Sequence, residues 1–166
     1  AIKLLATSRK VGDQYYAMVS PVMIDAKNPL YSVNGVFNAI FIHGNVLGDA
    51  MFYGSGAGKL PTASAVVADV VDCAKNKGRN IMMSWSEEKL NLLQIDDVKS
   101  RFFVRVSGHA AERQSEIEEL FGKVEIVAVP SLSEEFAFIT GEITEQEYRE
   151  KAEKLDGIQS RIRARI

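Results

Sequence analysis

The chain has one cysteine, two histidines and four prolines in 166 residues, and these shortages close off whole classes of function. With Cys73 alone, neither an intramolecular disulfide nor a cysteine-based metal cluster can form. His43 and His109 lie far apart in the sequence, so no histidine ligand set is in view and no metal residue is assigned. No Ser/His/Asp set and no pair of carboxylates spaced for acid–base work occurs, so no catalytic residue is assigned either. No apolar run approaches the roughly 20 residues of a membrane helix, and no signal-peptide pattern opens the chain. A cytoplasmic protein without a membrane partner is the expectation. Charge of one sign is lacking too: the net charge is −2, which points away from nucleic acid. An initiator Met is missing and the chain opens on an apolar strand, so it is expected to be a piece of something longer.

What is present is ordinary globular material, 46% hydrophobic and 25% charged, enough for one good core or two small ones. Residues 1–80 carry eight Lys/Arg against five Asp/Glu, whereas residues 81–166 carry twelve against seventeen. This shift favours two modules, divided as 1–80, a linker at 81–98, and 99–166. The expected class is α+β: a mainly antiparallel sheet with one long helix, then a ferredoxin-like β-α-β-β-α-β module. In the first segment Ile2–Thr7 and Gln14–Met23 read as a hairpin around Gly12-Asp13. Val36–Ile42 and Val46–Tyr53 follow as strands, with His43-Gly44-Asn45 as the turn between them. Four strands before residue 60 predict one mainly antiparallel sheet, its apolar runs needing cover on both faces.

In the last segment Phe102, Val104 and Val106 alternate with polar neighbours as a half-buried strand. Ala110–Phe121 is a short helix ending at Gly122, and Val124–Val129 and Phe136–Thr140 are strands. Thr144-Glu145-Gln146-Glu147 is a capping box opening a second helix, followed by a strand from Ile158. Arg161, Arg163 and Arg165 share one side of that strand, with Arg101 and Arg105 as candidate neighbours. Salt bridging or subunit contact is the expected use of these arginines.

The stretch most suggestive of a site is Met51–Asp72, where a strand end meets Gly54, Gly56 and Gly58 and then a helix near Pro61. Ala63, Val66, Val67, Val70, Val71 and Ala74 form one apolar stripe on that helix, with Pro61 expected at its first position and Cys73 as a small packed hydrophobe. A P-loop requires glycine at position 53 and Ser or Thr at position 60, where the chain has Tyr53 and Leu60. A dinucleotide G-x-G-x-x-G requires glycine at Lys59. A tight turn without a ligand accounts for the spacing, and so does a close backbone approach to one.

The run from Pro29 to Asp72, PLYSVNGVFNAIFIHGNVLGDAMFYGSGAGKLPTASAVVADVVD, closely resembles the C-terminal part of the homoserine dehydrogenase catalytic region. IKLLATSRK resembles the segment upstream of it, and VKSRFFVRV the lead into that family's appended ACT domain. The resemblance implies that residues 1–80 end the catalytic and dimerisation region and that 99–166 form an ACT-like regulatory domain. It implies NAD(P)-dependent interconversion of aspartate semialdehyde and homoserine, on the route to threonine and methionine, in a homodimer or larger assembly. The partners it implies are an upstream Rossmann domain and the upstream catalytic segments. It also implies that the GSGAG loop returns to the nicotinamide side of the cofactor, with Gly56 and then Gly58 as the cofactor-binding residues. The family's catalytic lysine, acidic substrate residues and sodium site lie upstream of Ala1, so the fragment is expected to be inactive and to bind no cofactor alone. Amino-acid-binding ACT domains carry an Asp-x-Pro-Gly-like turn after the first strand. Ser107-Gly108-His109-Ala110-Ala111 stands there instead, which bears on threonine as the implied effector. A stand-alone amino-acid-binding or oligomerisation module is the alternative.

Overall fold

A computed structural model describes residues 1–79 and 82–166. The expected boundary between first segment and linker falls on Asn80 and Ile81, outside the described residues. Compactness divides the chain into two units, Ala1–Asn28 with Lys89–Ile166, and Pro29–Glu88.

The first unit is built on one sheet. Strands β1 (Ile2–Val11) and β2 (Gln14–Ile24) form the expected hairpin. Only Gly12 of its two turn residues has positive φ, at 58°, the pattern of a type II′ turn. The rest of the unit runs β5 (Lys99–Ser107), α2 (Ala110–Phe121), β6 (Glu125–Val127), β7 (Glu135–Ile139), β8 (Ile143–Thr144), α3 (Glu145–Ala152) and β9 (Ile158–Arg165). Strand order is β1-β2-β9-β5-β7-β6, with β8 paired to the start of β5. The last four positions, β9-β5-β7-β6, are antiparallel neighbours, as a ferredoxin-like module demands. β2 adds to this group in parallel through Val22↔Arg163, Met23↔Ala164 and Ile24↔Arg165. The expectation of one antiparallel sheet from the first four strands is therefore corrected. Tyr16, Ser20, Val22 and Ile24 share one face of β2 and are all buried, and the strand reaches that burial beside β9.

The core lies between this sheet and the helices. Phe102, Val104, Val106, Ile117 and Phe138 are fully buried within one cluster that also holds Phe121, Tyr148 and Leu155. The α2 helix has the expected limits, and Gly122 ends it at φ 76°, a left-handed stop that glycine adopts without a Cβ clash. Lys151 on α3 donates to the Leu120 carbonyl, placing a cation at the negative end of α2. The capping box is present: Thr144 Oγ1 accepts from the Glu147 N–H at 3.0 Å, and Glu147 accepts from the Thr144 N–H at 2.7 Å. That backbone donor holds the Glu147 carboxyl below its ordinary value.

Arg101, Arg105, Arg161 and Arg163 are used in salt bridges, as expected, but Arg101 and Arg105 are not the same-side neighbours of the β9 arginines. Register sets Arg163 opposite Phe102 and Arg161 opposite Val104, on the helix side of the sheet. Arg101 and Arg105 lie opposite Ala164 and Ser160, on the other side. Arg101 and Arg105 thus do not share a side of the sheet with Arg161 and Arg163. Instead the buried carboxylate of Glu145, at the start of α3, contacts both Arg161 (2.8 Å) and Arg163. The Arg161 guanidinium also lies 4.7 Å from the Tyr148 ring centroid and 5.2 Å from that of Phe102, so its charge is further stabilised by two ring faces. Burial raises the Tyr148 phenol above its ordinary value.

The second unit holds β3 (Phe37–Gly44), β4 (Gly48–Ser55) and α1 (Lys59–Lys75). β3 and β4 form a separate two-stranded sheet. His43 and Gly44 belong to the strand instead of the turn, and the loop is Asn45-Val46-Leu47. α1 begins two residues earlier than expected, which puts Pro61 third in the helix. Its missing N–H still costs nothing there, because the first turn's donors have no intrahelical partner. The helix buries no residue, and Val66, Val67, Val70 and Val71 are 43–63% exposed. Cys73, expected to be packed, is exposed with them. Ile40 and Phe52 on one face of the β3–β4 ribbon are exposed, as are Phe37, Met51 and Tyr53 on the other.

Glu145→Gln removes the charge that two arginines share. Breaking a buried pair in this way costs about 3 kcal/mol, and urea denaturation of the variant is expected to show a loss of that order. An unchanged midpoint would show that the carboxylate does not hold α3 to β9.

Candidate functional site

The glycine loop joins β4 to α1, and each of its glycines answers a different demand. Gly54 lies within β4, and a Cβ there would meet nothing within 4 Å. Gly56 has no such room: a Cβ would stand 2.4 Å from Asn38 Nδ2 and 3.1 Å from Asn38 Cγ. Asn38 comes from β3, where it pairs with Gly54, so the ribbon itself brings this side chain under the loop. Gly58 is the N-cap of α1 with φ 127° and ψ 156°, a region essentially reserved for glycine. The stacked rings of Phe37 and Tyr53, 4.9 Å apart at centroids, brace the ribbon one position from the loop.

α1 has no side-chain cap and no acidic residue in its first turn. The N–H groups of Lys59 and Leu60 therefore have no capping side chain, and Lys59 adds positive charge at the same end. A helix start of this kind favours an anion or the polar oxygen of a ligand. Gly56 and Gly58 are thus brought to one loop at a helix start. Asn38, which sequence reasoning missed, is placed there with them. Cross-strand pairing with Gly54 was its available signal.

The two histidines are separated from this loop in role. His43 pairs across the ribbon with Asp49, Nδ1 to Oδ1 at 2.5 Å, and both side chains are exposed. His109 is the N-cap of α2 and makes no side-chain cap. The corner before it is occupied by Arg113, whose Nη1 donates to the Ser107 carbonyl at 3.0 Å. A Cβ on Gly108 would stand 3.2 Å from Arg113 Cδ, and one on Gly157 3.3 Å from Arg113 Nη1. Gln159 donates to Ser107 Oγ at 2.6 Å. Arg113 was the residue to notice here, because a cation near a helix start is opposed by the dipole and needs a compensating acceptor.

These contacts separate the two loop glycines experimentally. Gly58→Ala forces a side chain into a glycine-only backbone and is expected to destabilise the start of α1 by about 1–3 kcal/mol. Gly56→Ala meets only a flexible amide, which can swing aside, and is expected to leave stability nearly unchanged. Hydrogen exchange of the first-turn amides of α1 checks both, and equal effects would contradict the geometry.

Comparison with known proteins gives this loop its setting. Residues 1–71 match the family model described as homoserine dehydrogenase. The chain is 39% identical over 108 residues to a homoserine dehydrogenase of Lactococcus lactis, an overlap of 63% of this chain and 25% of the relative. It is 48% identical over 81 residues to the Corynebacterium glutamicum enzyme, covering 46% of this chain and 18% of the relative. The solved homoserine dehydrogenase from Thiobacillus denitrificans superposes with a TM-score of 0.77 at 25% identity, over 99% of this chain and 42% of the other. The chain spans about a quarter of the length of the curated relatives it matches. The matched sequence over residues 1–71 and the fold along nearly the whole chain both make it similar to homoserine dehydrogenases.

Proposed function

We propose that the chain is the C-terminal part of a homoserine dehydrogenase that interconverts aspartate semialdehyde and homoserine with NAD(P), serving threonine and methionine synthesis. In this reading Gly56 and Gly58 carry the loop that closes on the nicotinamide side of the cofactor. The catalytic residues and most of the cofactor contacts come from upstream segments. The observation that supports it best is the pairing of a glycine-only N-cap with an uncapped helix start. That site offers N–H donors and supplies no capping side chain of its own. The uncovered apolar stripe of α1 supports it too, since an upstream Rossmann domain would give that stripe a surface. Homodimeric or larger assembly and a cytoplasmic setting belong to the same reading; no helix of the described residues is long and apolar enough to cross a membrane.

The chain's own residues would do limited work in the reaction. The cofactor supplies the hydride chemistry when bound. The loop backbone would approach it closely, the α1 start would orient a polar oxygen on it, and the apolar face of α1 would exclude water from the closed site. The isolated 166 residues are therefore expected to show no homoserine oxidation. In the full enzyme, Gly58→Ala is expected to raise KM for the cofactor. Turnover by the isolated chain would refute the reading.

Residues 99–166 are proposed as an ACT-like regulatory domain, preceded by a linker at 81–98. Part of that linker is ordered, since Leu93 N–H donates to the Tyr15 carbonyl at 2.8 Å. Arg113 fills the corner where an amino-acid effector would be sought, and this favours a structural or oligomerising role over threonine feedback. Calorimetric titration of the full enzyme with threonine is expected to give no saturable heat; saturable heat would restore threonine as effector. The alternative reading, a module without enzymatic activity, draws on the complete core of the first unit, which needs no residue from Pro29–Glu88.

A further inference from the structure

A cavity of about 400 Å³ opens within the first unit, where the β1–β2 hairpin meets the end of β9 and the start of β5. Its walls include the buried Tyr16, Ser20 and Val22 of β2. The charged side chains at the cavity are Arg9, Lys99, Arg101, Arg163 and Arg165, against the single carboxylate of Glu142.

Five cations around one cavity repel one another unless something answers them. Two are answered within the protein. Arg163 contacts Glu145, and Arg101 donates to the Thr140 and Ile166 carbonyls and lies 3.6 Å from Glu125. Among the described residues, no carboxylate forms a salt bridge with Arg9, Lys99 or Arg165, although Lys99 also acts on Glu147 at longer range. Arg9 lies over the Tyr16 ring, and Arg165 donates to the Thr7 hydroxyl at 3.1 Å. Arg163 retains a further demand, because its Nε is buried without an acceptor.

We propose that this cavity binds a small molecule through its phosphate groups. The volume is that of a small-ligand pocket. Guanidinium forks from Arg9, Arg163 and Arg165 suit the several oxygens of a phosphate, and Ser20 adds a buried hydroxyl to the wall. An acidic protein segment would be met by cations strung along a surface, whereas here they converge on one cavity whose walls are mainly polar. The site is independent of the glycine loop, so it stands whether or not the cofactor reading does.

Calorimetric titration of the full-length protein with inorganic pyrophosphate, and separately with citrate, tests the proposal. Pyrophosphate is expected to bind saturably. The double variant Arg9→Gln, Arg165→Gln is expected to weaken that binding by about tenfold or more, and Lys99→Gln to weaken it less. Arg9, Lys99 and Arg165 are exposed and glutamine keeps part of each side-chain stem, so these variants are expected to keep the fold. Arg105→Gln, at the Arg105–Glu135 pair on the other side of the sheet, is expected to bind like the parent. Absence of saturable heat, equal binding by the double variant, or binding of citrate with exclusion of pyrophosphate would each overturn the proposal.

Discussion

The carboxylate of Glu145 is buried between two arginines, and much of the first unit depends on that arrangement. A lone buried carboxylate would cost several kcal/mol. Here Arg161 and Arg163 answer it from β9, while its backbone N–H reaches the Val98 carbonyl. The interaction ties the start of α3 to the strand beneath it. β9 in turn is flanked by β5 on one side and by β2 on the other. The N-terminal hairpin therefore finds its place in the sheet through a strand near the other end of the chain, whose own position is fixed by a charge network.

The second unit is governed by the opposite condition. Between Asp25 and Asp97 no described residue is buried, although α1 and both faces of the β3–β4 ribbon are rich in large apolar side chains. Burial of apolar surface is the main favourable term in folding, so a helix carrying four exposed valines along one stripe draws little stability from its surroundings here. The glycine loop belongs to this unit. Its backbone turns at Gly58 into a helix start that has no side-chain cap.

Much of this was legible in the sequence. The alternation of Phe102, Val104 and Val106, the Thr144 capping box and the Gly122 stop each act over a few residues, and all three elements formed where their patterns placed them. The limits of α2 followed from its apolar spacing. What could not be read was pairing at a distance. Nothing local to Val22 says that it will lie beside Arg163, and alternation in β9 gave the two sides of the strand without saying which side met the helices. The apolar stripe of α1 was equally clear, but a stripe records a need for burial and not whether the chain itself meets it. Of the site, Gly56 and Gly58 were visible as glycines in a row. Their different reasons, a crowding Asn38 and a backbone only glycine adopts, needed the fold.

In the proposed reading, α1 and its glycine loop are completed by upstream segments of the enzyme. The most direct measurement is amide hydrogen exchange across Lys59–Lys75, compared between the isolated chain and the full enzyme. Rapid exchange is expected along α1 in the isolated chain, beside strong protection in β5 and β9, with a large gain in α1 protection in the full enzyme. Protection of α1 in the isolated chain equal to that of β5 and β9 would contradict it.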